Sequence, residues 1–161
     1  MTYQEFTQQF KLQTESLSFR KQIELAISVC KKLFFDYQKF SEINNWGNAD
    51  LILDTIKFIE ESNNLKQDGS LLKEKIKQIE AITPDTEDFG DASYALNTCV
   101  AVCETLDFLI DLKAEHIYAV GICLTDTIYF KIQESKSLKE SEIDNNSEMI
   151  KARNFLLEMS K

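Results

Sequence analysis

Between Asp91 and Gln133 the chain carries almost no polar run. Leu96, Cys99, Val100, Val102, Cys103, Leu106, Phe108, Leu109, Ile110 and Leu112 are too many apolar positions for one narrow stripe. A helix here is expected to be covered by protein over most of its circumference. The next segment is more apolar still, from Ile117 through Leu124 and again from Ile128 to Ile132. A helix apolar all round is either the centre of a bundle or a membrane span. A span needs roughly 20 apolar residues with few or no charges. Here Asp126 interrupts the run, and Glu115 and Lys131 bound it. The pattern therefore predicts a buried helical hairpin, with its break at Lys113-Ala114.

The rest of the chain reads as helices that cover this hairpin. Tyr3, Phe6 and Phe10 fall at i, i+3 and i+7, a short amphipathic helix laying one aromatic edge on the body. Thr14 to Ser18 is a polar break rich in capping residues. From about Leu17 to Ile43, Phe19, Ile23, Ala26, Ile27, Cys30, Leu33, Phe34, Tyr37 and Phe40 step by three or four, the clearest helical period in the chain. Phe35 lies off that stripe and is expected to meet a second neighbour. Asn44 to Asn48 is a turn in which Gly47 takes positive φ and Asn48 caps the next helix. That helix spans about Ala49 to Ser62 and stops at Asn63-Asn64. Ser70 is expected to cap a shorter helix ending near Ile82, where Pro84 disfavours further α geometry. Asp85 to Asp91 is an acidic connection, and either Asp91 or Ser93 can cap the central hairpin. Ser135 to Asn146 reads as a loop and Ser147 to Met159 as the last helix. The sum is an all-α, single-domain bundle of about seven helices over residues 1–161.

Composition supports this class. One Pro and four Gly in 161 residues is little punctuation for a sheet protein, whose turns lean on both. The net charge of −9 argues against nucleic acid and against an anionic membrane surface, both of which call for clustered Lys and Arg. It favours a basic protein partner. The polar N-terminal segment lacks the apolar core of a signal peptide, so a cytoplasmic location is expected, with four free thiols.

Candidate chemistry is sparse. Glu87, Asp88 and Asp91, followed by Glu104 and Asp107, mimic the carboxylate spacing of the all-helical nucleotide pyrophosphohydrolases of the MazG-like group, which hold magnesium against a triphosphate. That chemistry needs both acidic sets on facing helices. Pro84 and Gly90 instead place Glu87 and Asp88 in a loop or at a helix start, where carboxylates simply favour the helix dipole. Cys99, Cys103, His116 and Cys123 share faces at i, i+4 and i, i+7 and would have to converge to bind zinc, but their spacing matches no common zinc signature. As small residues among apolar neighbours, the cysteines are better read as core. Asp126 is the odd polar group of the central run. It faces a wet edge or pairs with a lysine, or else it anchors a ligand in a groove. Trp46, in a loop, either anchors a partner or covers the end of a helix pair.

The runs Ile82 to Phe89 and Ala95 to Glu104, the helix from Ile23 to Phe40 and the helix after Trp46-Gly47 resemble the YjaG-like family of bacterial proteins of unknown function. The resemblance spans about Leu17 to Lys161. It implies an all-helical fold, brings no catalytic residues, and suggests signalling through an association with histidine kinases. The leading expectation is thus a non-enzymatic, cytoplasmic protein-interaction module without a cofactor. Its role would be signalling or the neutralising of a basic partner, and the partner protein would be met through Trp46, Asp85, Glu87 and Asp88. The alternative is a metal-dependent hydrolase of small phosphorylated molecules using Glu87, Asp88, Asp91, Glu104 and Asp107. A third reading is a core that binds a small apolar ligand beside Asp126.

Overall fold

A computed structural model describes residues 1–62 and 67–161. Eight α-helices and no strand occur among the described residues: α1 (Tyr3–Ser16), α2 (Phe19–Asn44), α3 (Ala49–Glu61), α4 (Gly69–Glu80), α5 (Ser93–Asp111), α6 (Ala114–Lys136), α7 (Glu140–Asp144) and α8 (Ser147–Met159). The α5–α6 hairpin is the centre. α5 packs on α6, α2 and α4, while α1 and α8 lie against α6. By length and composition α5 would suffice to cross a membrane, yet Ala95, Cys99, Val102, Leu106 and Phe108 are all fully buried inside the bundle.

The period along α2 has its expected consequence. Ile23, Ala26, Cys30, Leu33, Tyr37 and Phe40 are buried. Phe35 stays mostly at the surface. It is 68% exposed and only edges against Phe34, with ring centroids 5.7 Å apart. In α1, Phe6 and Phe10 are fully buried whereas Tyr3 is half exposed. The expected break at Thr14 starts three residues too early, since α1 runs through Ser16. Thr14 stays inside α1, donating its hydroxyl to the Phe10 carbonyl at 2.6 Å, and Ser18 caps α2.

Three ends show the local chemistry. After α2, Asn45 and Gly47 both take positive φ, and Asn48 Oδ1 accepts from the Leu51 N–H at 3.0 Å. Gly47 also lies under the Tyr37 ring, where a Cβ would come within 2.3 Å of the hydroxyl. Tyr37 donates that hydroxyl to the Ile82 carbonyl at 2.7 Å and accepts from the Asn48 N–H at 3.3 Å. One buried phenol thereby ties α2 to the α3 start and the α4 exit. α4 is capped by Asp68, two positions before the expected cap Ser70, which instead supplies the N–H that Asp68 accepts. The expected stop at Asn63-Asn64 lies outside the described residues.

The hairpin turn falls at the expected place without a glycine. Leu112 adopts the left-handed region at φ 62, and Asp111 Oδ1 accepts from the Lys113 N–H at 2.9 Å. Neither Asp91 nor Ser93 caps α5. Its N-cap is Ala92, without a side-chain bond, because the Asp91 carboxylate is taken by Asn44 Nδ2 at 3.0 and 3.2 Å. The loop expected from Ser135 to Asn146 contains α7. Glu142 accepts the Lys139 N–H at 2.9 Å, and Ile143 is buried beside Ile132 and Met149 in a small satellite core. One apolar side chain with somewhere to go is enough to order this polar stretch.

Candidate functional site

The acidic connection between α4 and α5 is ordered from beneath. Asp85 organises the turn: its Oδ1 accepts the Glu87 N–H at 2.8 Å, and its carbonyl accepts from Asp88 and Phe89. Phe89 then drops between Phe40 and Trp46, with centroids 5.3 and 5.2 Å away. Aromatic pairs of this kind are worth about 0.5–1.5 kcal/mol beyond their buried area, so the loop has a firm base. Trp46 is half-buried in this cluster, against Phe40 at 6.0 Å, and covers the α2–α3 end. Asp85, Glu87 and Asp88 are all exposed. Beside them runs a shallow groove of about 380 Å³ lined by Glu80, Thr83, Pro84, Asp85, Thr86 and Leu96. Its only ionisable walls are carboxylates. Val100, one turn along α5 from Leu96, is partly exposed.

The two acidic sets do not meet. Asp91 lies before α5 and is engaged by Asn44, while Glu104 is eleven residues into that helix, on the order of 17 Å away at 1.5 Å per residue. What gathers instead is Glu104, Asp107 and His116, whose potential ligand atoms lie within 4.8 Å of one another. The five-carboxylate metal set is therefore not assembled, and Glu87, Asp88 and Asp91 stand apart from it. Glu104, Asp107 and Asp111 fall at i, i+3 and i+7 on α5 and crowd its C-terminal half, where the helix dipole disfavours negative charge. His116, in the first turn of α6, answers them. Its Nδ1 sits 2.6 Å from Glu104 Oε2 and its Nε2 3.1 Å from Asp111 Oδ2. Burial works against protonation of this imidazole, but the bonds to Glu104 and Asp111 outweigh it and raise its pKa. Burial also raises the Asp107 pKa, reinforced by Glu104, Asp111 and Glu80 and opposed by His116. With both ring nitrogens facing carboxylates, the arrangement favours the imidazolium, which donates from both.

The cysteines behave as core. Cys30, Cys99 and Cys123 are buried free thiols and Cys103 is half-buried; burial pushes each thiol up to about 12. Cys30 Sγ meets the Thr105 hydroxyl at 3.6 Å and Cys99 Sγ the Ile82 carbonyl at 3.9 Å. Thiols held this far from ionisation are poor nucleophiles and metal ligands. Among the described residues, the set Cys99, Cys103, His116 and Cys123 does not converge, since His116 is turned to Glu104 and Asp111.

Asp126 neither pairs with a lysine nor makes a hydrogen bond among the described residues. It lines a cavity of about 330 Å³ between α1, α6, α7 and α8, and burial raises its pKa. On the same cavity lies Arg153, 4% exposed. Its Nη2 meets Asp144 Oδ1 at 2.8 Å and its Nη1 donates to the Met1 carbonyl at 2.9 Å, while Nε has no partner. Sequence reasoning missed this residue. The signal was there: Arg153 falls on the inward stripe with Met149 and Leu156, at i+4 and i−3. It also missed the His116–Glu104 pair, for which the clue was a lone histidine within a turn of the hairpin break.

Residues 9–161 match the family model "Protein of unknown function (DUF416)". The chain is similar in structure to a DUF416 family protein from Shewanella baltica OS155, with a TM-score of 0.82 at 19% identity, covering 94% of this chain and 83% of that one. At that identity the likeness speaks to fold. No curated protein matches the chain. The matches carry a family of unknown function and not the YjaG-like name. The chain belongs to the DUF416 family.

Proposed function

We propose that this protein works by binding, and that the face formed by the α4–α5 connection and the adjacent groove takes a basic segment of a partner protein. The observation that carries the reading is the ordered presentation of charge. Asp85, Glu87 and Asp88 stand exposed on a loop whose base is pinned by Phe89, next to a groove whose charged walls, Glu80 and Asp85, are both acidic. Preformed loops lose little entropy on binding, and complementary charge raises association rate and selectivity more than raw affinity. Trp46 acts here through the loop, as the wall behind Phe89. A cytoplasmic setting, expected from the polar N-terminal segment, and a signalling role, which the YjaG-like resemblance implies, fit such a module and belong to the same proposal. The test is capture from a lysate of the protein's own host. At low salt the wild-type chain should retain a basic protein that both high salt and the triple neutralisation Asp85→Asn, Glu87→Gln, Asp88→Asn release. A partner held equally by wild type and triple variant would refute the assignment of this face.

A second reading has one specific observation behind it, the Glu104, Asp107 and His116 cluster. Two carboxylates and an imidazole suit a divalent ion, and a metal-dependent hydrolase would be seated there. The ion pair weighs against it, because a metal would have to displace the imidazole's proton and its bond to Glu104. Manganese binding to the wild type that disappears in Glu104→Ala/Asp107→Ala would favour this reading over the first.

A further inference from the structure

The cavity that holds Asp126 is chemically unlike the acidic face and lies apart from it. Its walls are aromatic and aliphatic: Tyr3 from α1, Tyr129 and Phe130 from α6, Met149 from α8. Its volume of about 330 Å³ is at the lower end of small-molecule sites. Four charged groups line it, Asp126, Glu140, Asp144 and Arg153, and they are not equivalent. Arg153 is already compensated. Asp144 neutralises its charge, the Met1 carbonyl takes another N–H, and the guanidinium lies 5.5 and 5.9 Å from the Phe6 and Tyr3 ring centres. Asp126 has no such compensation. It is half-buried and makes no ion pair or hydrogen bond among the described residues. Thr125 and Thr127, its neighbours, turn their hydroxyls back to the Ile122 and Cys123 carbonyls.

We infer that this cavity binds a small organic cation, a primary ammonium carried on an aromatic or aliphatic body. The ammonium pairs with Asp126, and the body lies against Tyr129, Phe130 and Met149. An unpaired carboxylate in a partly dry pocket is unfavourable, and a bound ammonium removes that penalty. The faces of Tyr3, Tyr129 and Phe130 also carry negative quadrupole density that attracts a cation. A carboxylate or phosphate is disfavoured, because Asp126 and Glu140 would repel it and Asp144 already neutralises Arg153, whose unpartnered Nε can take only a further acceptor atom. The apolar ligand expected beside Asp126 from the sequence is thus replaced by a cationic one. The ion pair between Arg153 and Asp144 acts as scaffolding: it binds α8 to α7 and holds the back wall in place.

The experiment compares 2-phenylethylamine with its neutral isostere 2-phenylethanol on the wild-type protein, by calorimetry and by shifts in two-dimensional amide spectra. The amine should bind saturably, at least about tenfold tighter than the alcohol, with shifts centred on residues 125–130 and 149–153. Asp126→Asn should erase the difference between the two ligands, and Phe130→Ala should weaken both. Because the amine and alcohol are compared on the unaltered chain, the test survives a variant that folds poorly. Equal affinity for amine and alcohol, or no saturable binding of the amine, would overturn the inference.

Discussion

Gly121 is the point at which the N-terminal helix docks on the centre of the bundle, and Gly121→Ala tests that docking. A Cβ at this position would lie 2.3 and 2.4 Å from two ring carbons of Phe10 and 3.5 Å from Leu156 Cδ2. In an open helix the substitution would stabilise the chain by up to about 1 kcal/mol through helix propensity. Here the Phe10 ring must move by roughly an ångström, and it has little room to do so. It is fully buried, stacked on Phe6 at 5.5 Å and tilted against Tyr118 at 5.8 Å. Overpacking of this kind costs about 1–3 kcal/mol. The two effects leave a net loss of about 1 kcal/mol, seen as a fall in Tm of about 2–4 °C for a chain of this size. Urea unfolding of Gly121→Ala, Phe10→Leu and the double variant checks it. The cycle should show the two substitutions coupled by more than about 0.5 kcal/mol, the double variant being more stable than the sum of the singles. If Gly121→Ala alone gained the propensity term, the Phe10 ring would not lie where it is described. The same displacement would shift Tyr3, three residues into the chain, and so the Asp126 cavity wall.

Other perturbations read other parts of the structure. His116 has a raised folded pKa, so its stabilising contribution is complete below the unfolded value of about 6.5 and is lost as pH rises through the folded value. Asp107, also raised, works in the same sense but in its own, lower window, since its buried charged form is unfavourable once pH rises above its unfolded carboxylate value. Stability should therefore fall as pH rises above about 6.5 and through the raised His116 value, and His116→Gln should flatten that slope in denaturant titrations at several pH values. Leu112 is exposed at φ 62, a conformation costing about 1 kcal/mol for a side chain with Cβ, so Leu112→Gly should leave the protein as stable or up to about 1 kcal/mol more stable; a loss beyond that would contradict the turn geometry. Tyr37→Phe removes the acceptor of Asn48 N–H and the donor to the Ile82 carbonyl, and should lower stability by about 1–3 kcal/mol while leaving the spectrum of α8 unchanged.

Helices were legible wherever one apolar stripe repeated. The α2 positions from Ile23 to Phe40 stepped by three and four and are buried, and the hairpin break at Lys113-Ala114 fell within two residues of its place even though Leu112, not glycine, makes the turn. Boundaries set by long-range partners were illegible. Asp91 had the chemistry of a cap and was claimed instead by Asn44, 47 residues away in sequence. α7 was invisible because it is five residues long and depends on Ile143 finding Ile132 and Met149. The sites divide along the same line. The carboxylates of the α4–α5 connection were visible as a local run. The His116–Glu104 pair needed the angle at which α5 and α6 meet, which no periodicity contains. Asp126 was conspicuous by polarity alone, but its cavity depends on α7 and on Arg153, a buried charge whose partner Asp144 lies in the stretch that read as loop.

The most direct measurement of the central claim is an amide-resolved titration of the protein with a short lysine- and arginine-rich peptide at low ionic strength. The account predicts shifts concentrated at Glu80, residues 83–88, Leu96 and Val100, diminishing as salt is raised and absent in the Asp85→Asn, Glu87→Gln, Asp88→Asn variant. Shifts spread evenly over exposed carboxylates elsewhere, such as Glu60, Glu140 and Glu148, would show that the protein attracts a basic peptide by net charge alone, and would contradict a built binding face.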